Sequence, residues 1–286
     1  VITTDSYTVN PIFFRGGNIG NLAASGTIND LLMMGAKPVA LTLALIIKEG
    51  FSFNDLGTII DTIAEITANF GIGIVAGDTK VMPQDSMKEV SLIINTTGLG
   101  YVQKGVRITD SSIKPGDKII ASGTIGDHGF AMLASREGIE LETKLKSDVA
   151  PLNSLILPIR HLGVHAMKDP TRGGLSGVLN EWAEKSKVSI WIKESSIPFS
   201  EDALIIAEIF GIDPLHVSSE GKAIIAVAPN KADEVLELMK ESPLGQKAEI
   251  IGEVKDTRKG SVFLKTKIGG HRIIDKPVGE PIPRVC

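Results

Sequence analysis

The stretch from Pro38 to Lys80 reads PVALTLALIIKEGFSFNDLGTIIDTIAEITANFGIGIVAGDTK, and it decides the fold class of this chain. Its first ten residues are almost all apolar, which is typical of a buried strand. Apolar residues then recur at helical spacing, and we expect a helix that is capped by Asn54 and closed by Gly71. A second apolar run at 72–76 predicts another strand, which leads into Gly77-Asp78-Thr79-Lys80. The order strand, helix, strand indicates an α/β protein.

Upstream of this stretch, residues 1–4 predict a strand with Asp5 just past its end, and residues 20–34 predict a helix. Downstream, residues 90–99 predict a further strand, and the turn at 114–117 is the best domain boundary. Beyond that turn we expect helices at 127–137, 151–162, 175–185, 201–210 and 231–240, and strands at 118–122, 188–192, 223–227 and 249–254. We therefore predict domains at 1–112 and 113–270, followed by a tail at 271–286 in which prolines suppress helix and sheet.

Composition excludes several classes of protein. The chain has 286 residues, of which 43% are hydrophobic and 22% charged, which rules out collagen, coiled coil and disorder. Its longest apolar stretch is far shorter than the roughly 18 residues of a membrane span. A formal charge of -4 without a basic cluster argues against nucleic acid as a partner. A single cysteine without a secretory signal favours the cytosol, and the start inside a strand leads us to expect natural chain upstream.

Four aspartates stand at the ends of apolar elements or beside a glycine-rich turn: Asp5, Asp30, Asp78 and Asp169. Each alone fits a structural turn residue. Together they are the hard oxygen ligands that Mg²⁺ on a nucleoside triphosphate requires. The run 169–174, Asp-Pro-Thr-Arg-Gly-Gly, precedes a predicted helix, so it is either a phosphate-binding loop or a plain N-cap. Neither a P-loop nor a dinucleotide fingerprint is present.

Other chemically notable residues have simpler interpretations. His161 and His165 have the spacing of a zinc pair on a predicted helix, but no third ligand completes the site, so surface histidines are favoured. Lys80 and Glu220 are solvated charges unless their neighbouring motifs form a site. Cys286 is the sole cysteine and the last residue. Its own carboxylate disfavours the thiolate, so it suits a carrier of an attached group better than an unaided catalyst.

The chain resembles the family of the hydrogenase maturation factor HypE, within the ATP-binding enzymes that include aminoimidazole ribonucleotide synthetase (PurM) and selenophosphate synthetase. The resemblance spans essentially the whole chain, and its terminal cysteine is specific to HypE among these relatives. It rests on the motifs at 3–6 (TTDS), 10–14 (NPIFF), 26–30 (GTIND), 34–38 (MGAKP), 77–80 (GDTK), 126–129 (GDHG), 169–174 (DPTRGG), 219–222 (SEGK) and 283–286 (PRVC).

The resemblance implies a two-domain PurM-like α/β (α+β) fold. The first domain would form a β-barrel shared with a second copy in a homodimer, and the second would be an α/β sandwich with a flexible tail. A HypF-type carbamoyltransferase would load Cys286, and ATP would then drive dehydration of the thiocarbamate to a thiocyanate. The cyanide would pass to iron on a HypC-HypD scaffold and onward to the [NiFe] hydrogenase centre.

The resemblance also implies roles for individual residues. Mg²⁺ would be held by Asp5, Asp30 and Asp169, and ATP by Asn29, Asp78, Thr79, Gly173 and Gly174. Catalysis would use Cys286, Lys80 and Glu220. Family members carry a further segment ahead of Val1 that completes the nucleotide site. Two alternatives stay open: a selenophosphate-type phosphotransferase, which would leave Cys286 unexplained, and a nonenzymatic scaffold that presents its tail to partners.

Overall fold

The computed structural model describes residues 1–136 and 143–277. Its helices and strands in chain order are β1 (Ile2–Tyr7), β2 (Phe13–Phe14), β3 (Gly17–Asn18), α1 (Ile19–Met33), β4 (Ala36–Lys48), α2 (Phe53–Asn69), β5 (Gly73–Met82), β6 (Leu92–Val102), β7 (Lys118–Ala121), α3 (Asp127–Arg136), α4 (Asn153–Ile156), β8 (Val164–Lys168), α5 (Gly174–Ser186), β9 (Ser189–Lys193), α6 (Glu201–Phe210), β10 (Ile224–Val227), α7 (Ala232–Glu241), β11 (Glu249–Lys255), β12 (Ser261–Lys265) and β13 (His271–Ile274). The α/β class predicted from the sequence is confirmed. No described helix is both long enough and apolar enough to cross a bilayer.

The first sheet has four strands in the order β1-β6-β4-β5. Strands β4 and β5 are parallel and joined through α2, as the strand, helix, strand pattern predicts. Helix α2 buries Ile59 and Ile63 against α1 and the sheet, where they join a core with Leu22 and Ile94. In contrast, β5 is exposed along nearly its whole length, since Val75 keeps 69% of its surface. The opposite face of this sheet is therefore left uncovered by residues 1–136 and 143–277 of the same chain.

The second sheet has seven strands in the order β13-β12-β9-β11-β7-β10-β8. Successive residues of a strand point to opposite faces, and β7 shows the division clearly. Ile119 packs on the side covered by α5, where Trp182 is buried, while Ile120 packs on the side of α4 and α7. That second core also contains Ile28 and Leu32 of α1. The two sheets are thus joined through a shared hydrophobic core.

Several local predictions need correction. Helix α2 is capped by Ser52 and not by Asn54, since the Ser52 hydroxyl accepts from the Asp55 amide at 3.3 Å. Asp5 lies inside β1 and Asp78 inside β5, not past the ends of strands. The glycine before Asp78 allows close strand pairing and not a turn, because a Cβ on Gly77 would stand 2.7 Å from the Leu43 carbonyl oxygen.

The helix expected over 151–162 is only the short α4, and a strand, β8, begins at Val164. Pro158 is incompatible with a helix interior, which explains the early end. His165 therefore belongs to a strand, and the helical zinc spacing with His161 does not exist. The tail was expected from residue 271, but β13 pairs there with β12 as a hairpin. The residues from 278 to Cys286 lie outside the described part of the chain.

Candidate functional site

A cavity of about 590 Å³ lies where the carboxyl end of α1, strand β1 and the loop from β8 into α5 meet. Its lining is dominated by charged side chains and glycines, and it includes most of the acidic residues singled out from the sequence. The lining residues that carry the argument are Asp5, Tyr7, Asp30, Lys168, Asp169, Arg172, Gly173, Glu181, Glu220, Lys276 and Pro277. Elements from both halves of the chain, β1 and α1 in the first and β8 and α5 in the second, thus contribute to one site.

Asp30 stands in the last turn of α1 and accepts a hydrogen bond from the Thr3 hydroxyl at 2.9 Å. Burial and the negative charge of Asp169 raise the pKa of Asp30 to about 6, while the Thr3 hydrogen bond partly offsets that rise. The carboxylate is thus held in a place where negative charge is already in excess. Such a site favours a cation.

Glu220 is almost completely buried, with 7% of its surface exposed. Its burial, together with the charges of Asp169 and Asp148, raises its pKa well above the usual value for glutamate. Burial likewise raises the pKa of Asp169, which follows β8 directly. The cavity therefore concentrates acidic groups that share protons or require positive charge from a ligand.

These carboxylates suit a metal ion that is also bound by a ligand better than a metal ion bound by protein side chains alone. No group of three or more His, Cys, Asp or Glu side chains within 1–136 and 143–277 is arranged to hold a metal ion by itself. Mg²⁺ normally binds through one or two carboxylates and completes its shell with water and phosphate oxygens. Asp5, Asp30 and Asp169 line the cavity, and one or two of these carboxylates could serve in such a shell beside phosphate and water.

The backbone of Glu220 is fixed by a buried polar network. Its amide donates to the Asp148 carboxylate at 2.9 Å, and Lys222 lies 3.5 Å from the other oxygen of Asp148. The Asn29 side-chain amide donates to the carbonyl oxygens of Glu220 and Ala150, at 3.3 and 3.0 Å. The Asn29 oxygen also accepts from the backbone amide of Leu152. Asn29 therefore holds the loops of the site together and does not line the cavity itself.

The glycine loop requires its two glycines for different reasons. Both have positive φ, +80° at Gly173 and +58° at Gly174. A Cβ on Gly174 would lie 2.6 Å from the Val217 carbonyl oxygen, so the loop packs tightly on the neighbouring segment. Gly173 caps α5 without a side-chain cap, which leaves the amino end of the helix beside the cavity. This arrangement can bind an anion.

The predicted residues on β5 are not in this cavity. Asp78, Thr79 and Lys80 are exposed and lie on an edge strand of the first sheet. Asp78 and Thr79 line a separate shallow depression with Leu43 and Val75. One copy of the chain thus brings together Asp5, Asp30, Asp169, Gly173 and Glu220, but it does not bring the β5 residues to them.

Two residues that line the cavity, Lys168 and Tyr7, were missed from the sequence. Lys168 contacts Glu181 and lies 3.7 Å from Asp110. It would have been found if β8 had been recognised, since the strand ends at Lys168 beside Asp169. Tyr7 is buried, and its hydroxyl lies 3.2 Å from the Thr27 hydroxyl. No pattern in the sequence indicated that Tyr7 would line the cavity.

Comparisons with known proteins identify the family of this chain. The chain matches the N-terminal domain of AIR synthase related proteins over residues 1–102 and their C-terminal domain over residues 114–265. It is 42% identical to the carbamoyl dehydratase HypE of Cupriavidus necator, over 100% of this chain and 82% of that protein. The chain belongs to the HypE family.

Solved structures of HypE proteins superpose on almost the whole chain. HypE in complex with ATP matches with a TM-score of 0.95 and 37% identity, covering 100% of this chain and 86% of that one. The chain in a HypE-HypF complex matches with a TM-score of 0.92 and 45% identity, covering 96% and 90%. The two-domain PurM-like fold expected from the resemblance is confirmed by these matches and by the two domain families.

Proposed function

We propose that this chain is an ATP-dependent carbamoyl dehydratase that acts on a group carried by its own Cys286. The observation that carries the proposal is the position of Pro277, which lines the acidic cavity and lies where a Cβ on Gly173 would be 2.9 Å from its ring. Nine residues follow Pro277 and end in Cys286. At roughly 3.3 Å per residue they span up to about 30 Å, which is ample for a carried group to enter the cavity.

The reaction needs ATP because an amide oxygen is a poor leaving group. The carbamoyl oxygen attacks the terminal phosphorus, so that a new O–P bond forms, ADP departs and one proton leaves the nitrogen. The C–O bond then breaks, phosphate departs with the oxygen, and the second nitrogen proton is lost as the nitrile forms. The sum converts a thiocarbamate and ATP into a thiocyanate, ADP and phosphate.

The nucleotide would lie along the glycine loop. The amino end of α5 and the backbone at Gly173 and Gly174 are suited to phosphate oxygens. We propose that Asp5, Asp30 and Asp169 hold Mg²⁺ there, where the ion would neutralise phosphate charge and polarise the P–O bond to be broken. Asn29 would contribute indirectly, by fixing the backbone of Glu220.

Glu220 is our candidate for the base that removes a proton from nitrogen. It is buried beside the cavity, and burial together with the neighbouring carboxylates raises its pKa, which increases its affinity for a proton. The Asp148 contact to its amide keeps its backbone in place. Lys80, proposed from the resemblance to act with it, cannot do so from the same copy of the chain.

We propose that the β5 residues act in a homodimer. The uncovered face of the first sheet and the exposed β5 are suited to pairing with a second copy, as the shared β-barrel of the resemblance implies. Asp78, Thr79 and Lys80 would then reach the cavity of the partner. This arrangement accounts for three predicted site residues that lie outside the cavity of their own chain.

Partners follow from the carrier chemistry. We propose that a HypF-type carbamoyltransferase loads Cys286, in agreement with a relative that was solved as a HypE-HypF complex. Delivery of cyanide to a HypC-HypD scaffold and action in the cytosol remain predictions. No role with nucleic acid or membranes is proposed.

Mass spectrometry of the intact protein tests the function. The chain is incubated with a HypF-type transferase, carbamoyl phosphate and ATP, and we expect a carbamoyl adduct on Cys286 that then loses the mass of one water. Cys286→Ala should show neither step and keep its fold. An adduct on that variant would contradict the carrier role. ATP consumption without an adduct would favour a phosphotransferase, and neither adduct nor ATP consumption would favour a scaffold.

A further inference from the structure

A second cavity, of about 490 Å³, lies at the other end of β8 from the acidic site. It is formed by the segment that follows β6, the turn after α4 and the first residues of β8. Strand β8 has five residues, so at roughly 3.3 Å per residue its two ends lie about 13 Å apart. The two cavities are therefore distinct, and ATP bound in one does not fill the other.

The second cavity is strongly basic. Lys104, Arg107 and Arg160 line it, together with His161 and His165, and none of its lining residues within the described chain is acidic. The two arginines and the lysine give the cavity three positive charges. His165 turns its Nδ1 toward the buried Asp117, 2.8 Å away, which leaves the other ring nitrogen for a different partner.

Arg160 supplies an independent observation. Its Nη1 atom is buried and has no hydrogen-bond partner among the described residues. An unpaired buried guanidinium nitrogen is costly, because its desolvation is not compensated. The side chain as a whole is only half-buried, so a ligand that accepts hydrogen bonds from the accessible part of the same guanidinium would offset part of this cost.

We infer that this cavity binds a phosphate group, free or as part of a small phosphorylated molecule. Three permanent positive charges without an acidic neighbour in the lining favour a divalent oxyanion over a singly charged carboxylate. The guanidinium fork matches phosphate oxygens in a bidentate way. His161 and His165, whose spacing first suggests zinc, thereby contribute to an anion site.

The cavity also joins the two halves of the chain. Lys104 and Arg107 lie in the segment between the two sheets, whereas Arg160 and His165 belong to the second half. A bound phosphate would therefore bridge that segment to the start of β8. The inference rests on this geometry and does not depend on the proposed dehydratase activity.

Amide NMR on the full chain tests the site. The protein is saturated with an unhydrolysable ATP analogue and then titrated with inorganic phosphate. We expect saturable shifts at Gly105 and Gly163, which line the basic cavity, with little change at Gly173 and Gly174. Sodium acetate at equal ionic strength should shift these amides far less. No saturable shift at Gly105 and Gly163, shifts confined to the Gly173 loop, or an equal response to acetate would overturn the inference.

Two variants and a matched control locate the ligand. Arg160→Gln and Arg107→Gln should each weaken phosphate binding about tenfold, since each removes a charge-assisted hydrogen bond. Arg107 is exposed, so its variant remains informative if Arg160→Gln does not fold. Lys247→Gln removes one charge from an exposed position outside the cavity and should change the affinity less than twofold. Equal affinity in all three variants would contradict the inference.

Discussion

At the scale of single residues, Asp30 is the clearest case of a carboxylate whose charged form is disfavoured by its surroundings. Its pKa of about 6 compares with 3.8 for an ordinary aspartate, and the main causes are burial and the charge of Asp169. A raised pKa means that the charged form is disfavoured in the folded state. Stability is therefore lost as the pH rises above 3.8 and through 6. A cation bound in the cavity would offset this loss of stability, because it favours the charged carboxylate.

Asp30→Asn should therefore stabilise the ligand-free protein at pH 8, by about 1–2 kcal/mol after allowance for solvent screening. The gain should vanish near pH 3, where the carboxyl group is protonated in both folded and unfolded states. Urea unfolding at the two pH values measures the difference. Equal stability of variant and parent at pH 8 would show that the charge is not strained.

Glu220→Gln keeps the shape of the side chain and removes its ability to take a proton. We expect the conversion of the carbamoyl adduct to fall by about 10²-fold or more, with nucleotide affinity changed little. In the parent protein the rate should fall as the pH drops through the raised pKa of Glu220, and this dependence should be absent from the variant. Mass spectra over time give the rate, and calorimetry gives the affinity. An unchanged rate would remove Glu220 from catalysis.

At the scale of elements, Gly174 in the loop into α5 and Gly211 at the end of α6 show two different requirements for glycine. Gly174 combines a positive φ with a close approach to the Val217 carbonyl oxygen, whereas Gly211, which caps α6, has φ of +65° and nothing within 4 Å of a built Cβ. A side chain at position 211 would therefore meet backbone strain alone, whereas a side chain at position 174 would meet both strain and a steric clash.

Gly174→Ala should accordingly cost about 3 kcal/mol of stability or more, and Gly211→Ala about 1 kcal/mol. The difference is the clash at position 174, since strain from positive φ is common to both. Chemical denaturation measures both variants, and the nucleotide affinity of any folded Gly174→Ala protein should also fall. Equal losses would mean that the Val217 segment moves aside freely.

At the scale of the whole molecule, the proposed dimer makes a prediction about activity in trans. Asp30→Asn damages the cavity of its own chain, and Asp78→Asn damages the strand that serves the partner. Each variant alone should be nearly inactive. A mixed dimer of the two retains one intact site, so an equal mixture should recover about a quarter of parental activity.

The mixture is prepared by unfolding and refolding both variants together, and dehydration of the loaded cysteine is followed by mass spectrometry. The matched control is a refolded mixture of Asp30→Asn with Asp169→Asn, which both damage the same cavity in their own chains. Recovery equal to that control would place Asp78 outside the site of the partner.

Much of this architecture followed from local sequence pattern. Helices α2, α5 and α6 and most strands appeared in the predicted order, because apolar periodicity and caps act over a few residues. The predictions were wrong where the local composition is not typical of a strand. Gly77-Asp78 resembles a turn but pairs inside β5. The segment around β12 and β13 is rich in glycine and charged residues and lacks a clear strand pattern. In both places pairing with a distant strand outweighed local preference.

The sequence by itself determined the fold class and the family motifs. Only the tertiary structure decided which motifs share a cavity. Asp30, Asp169 and Glu220 are far apart in the chain and meet because α1 packs on the second sheet through a common core. Asp78 follows an equally clear motif and stays outside, because β5 is an edge strand. Distances between motifs depend on long-range packing, which spacing along the chain does not encode.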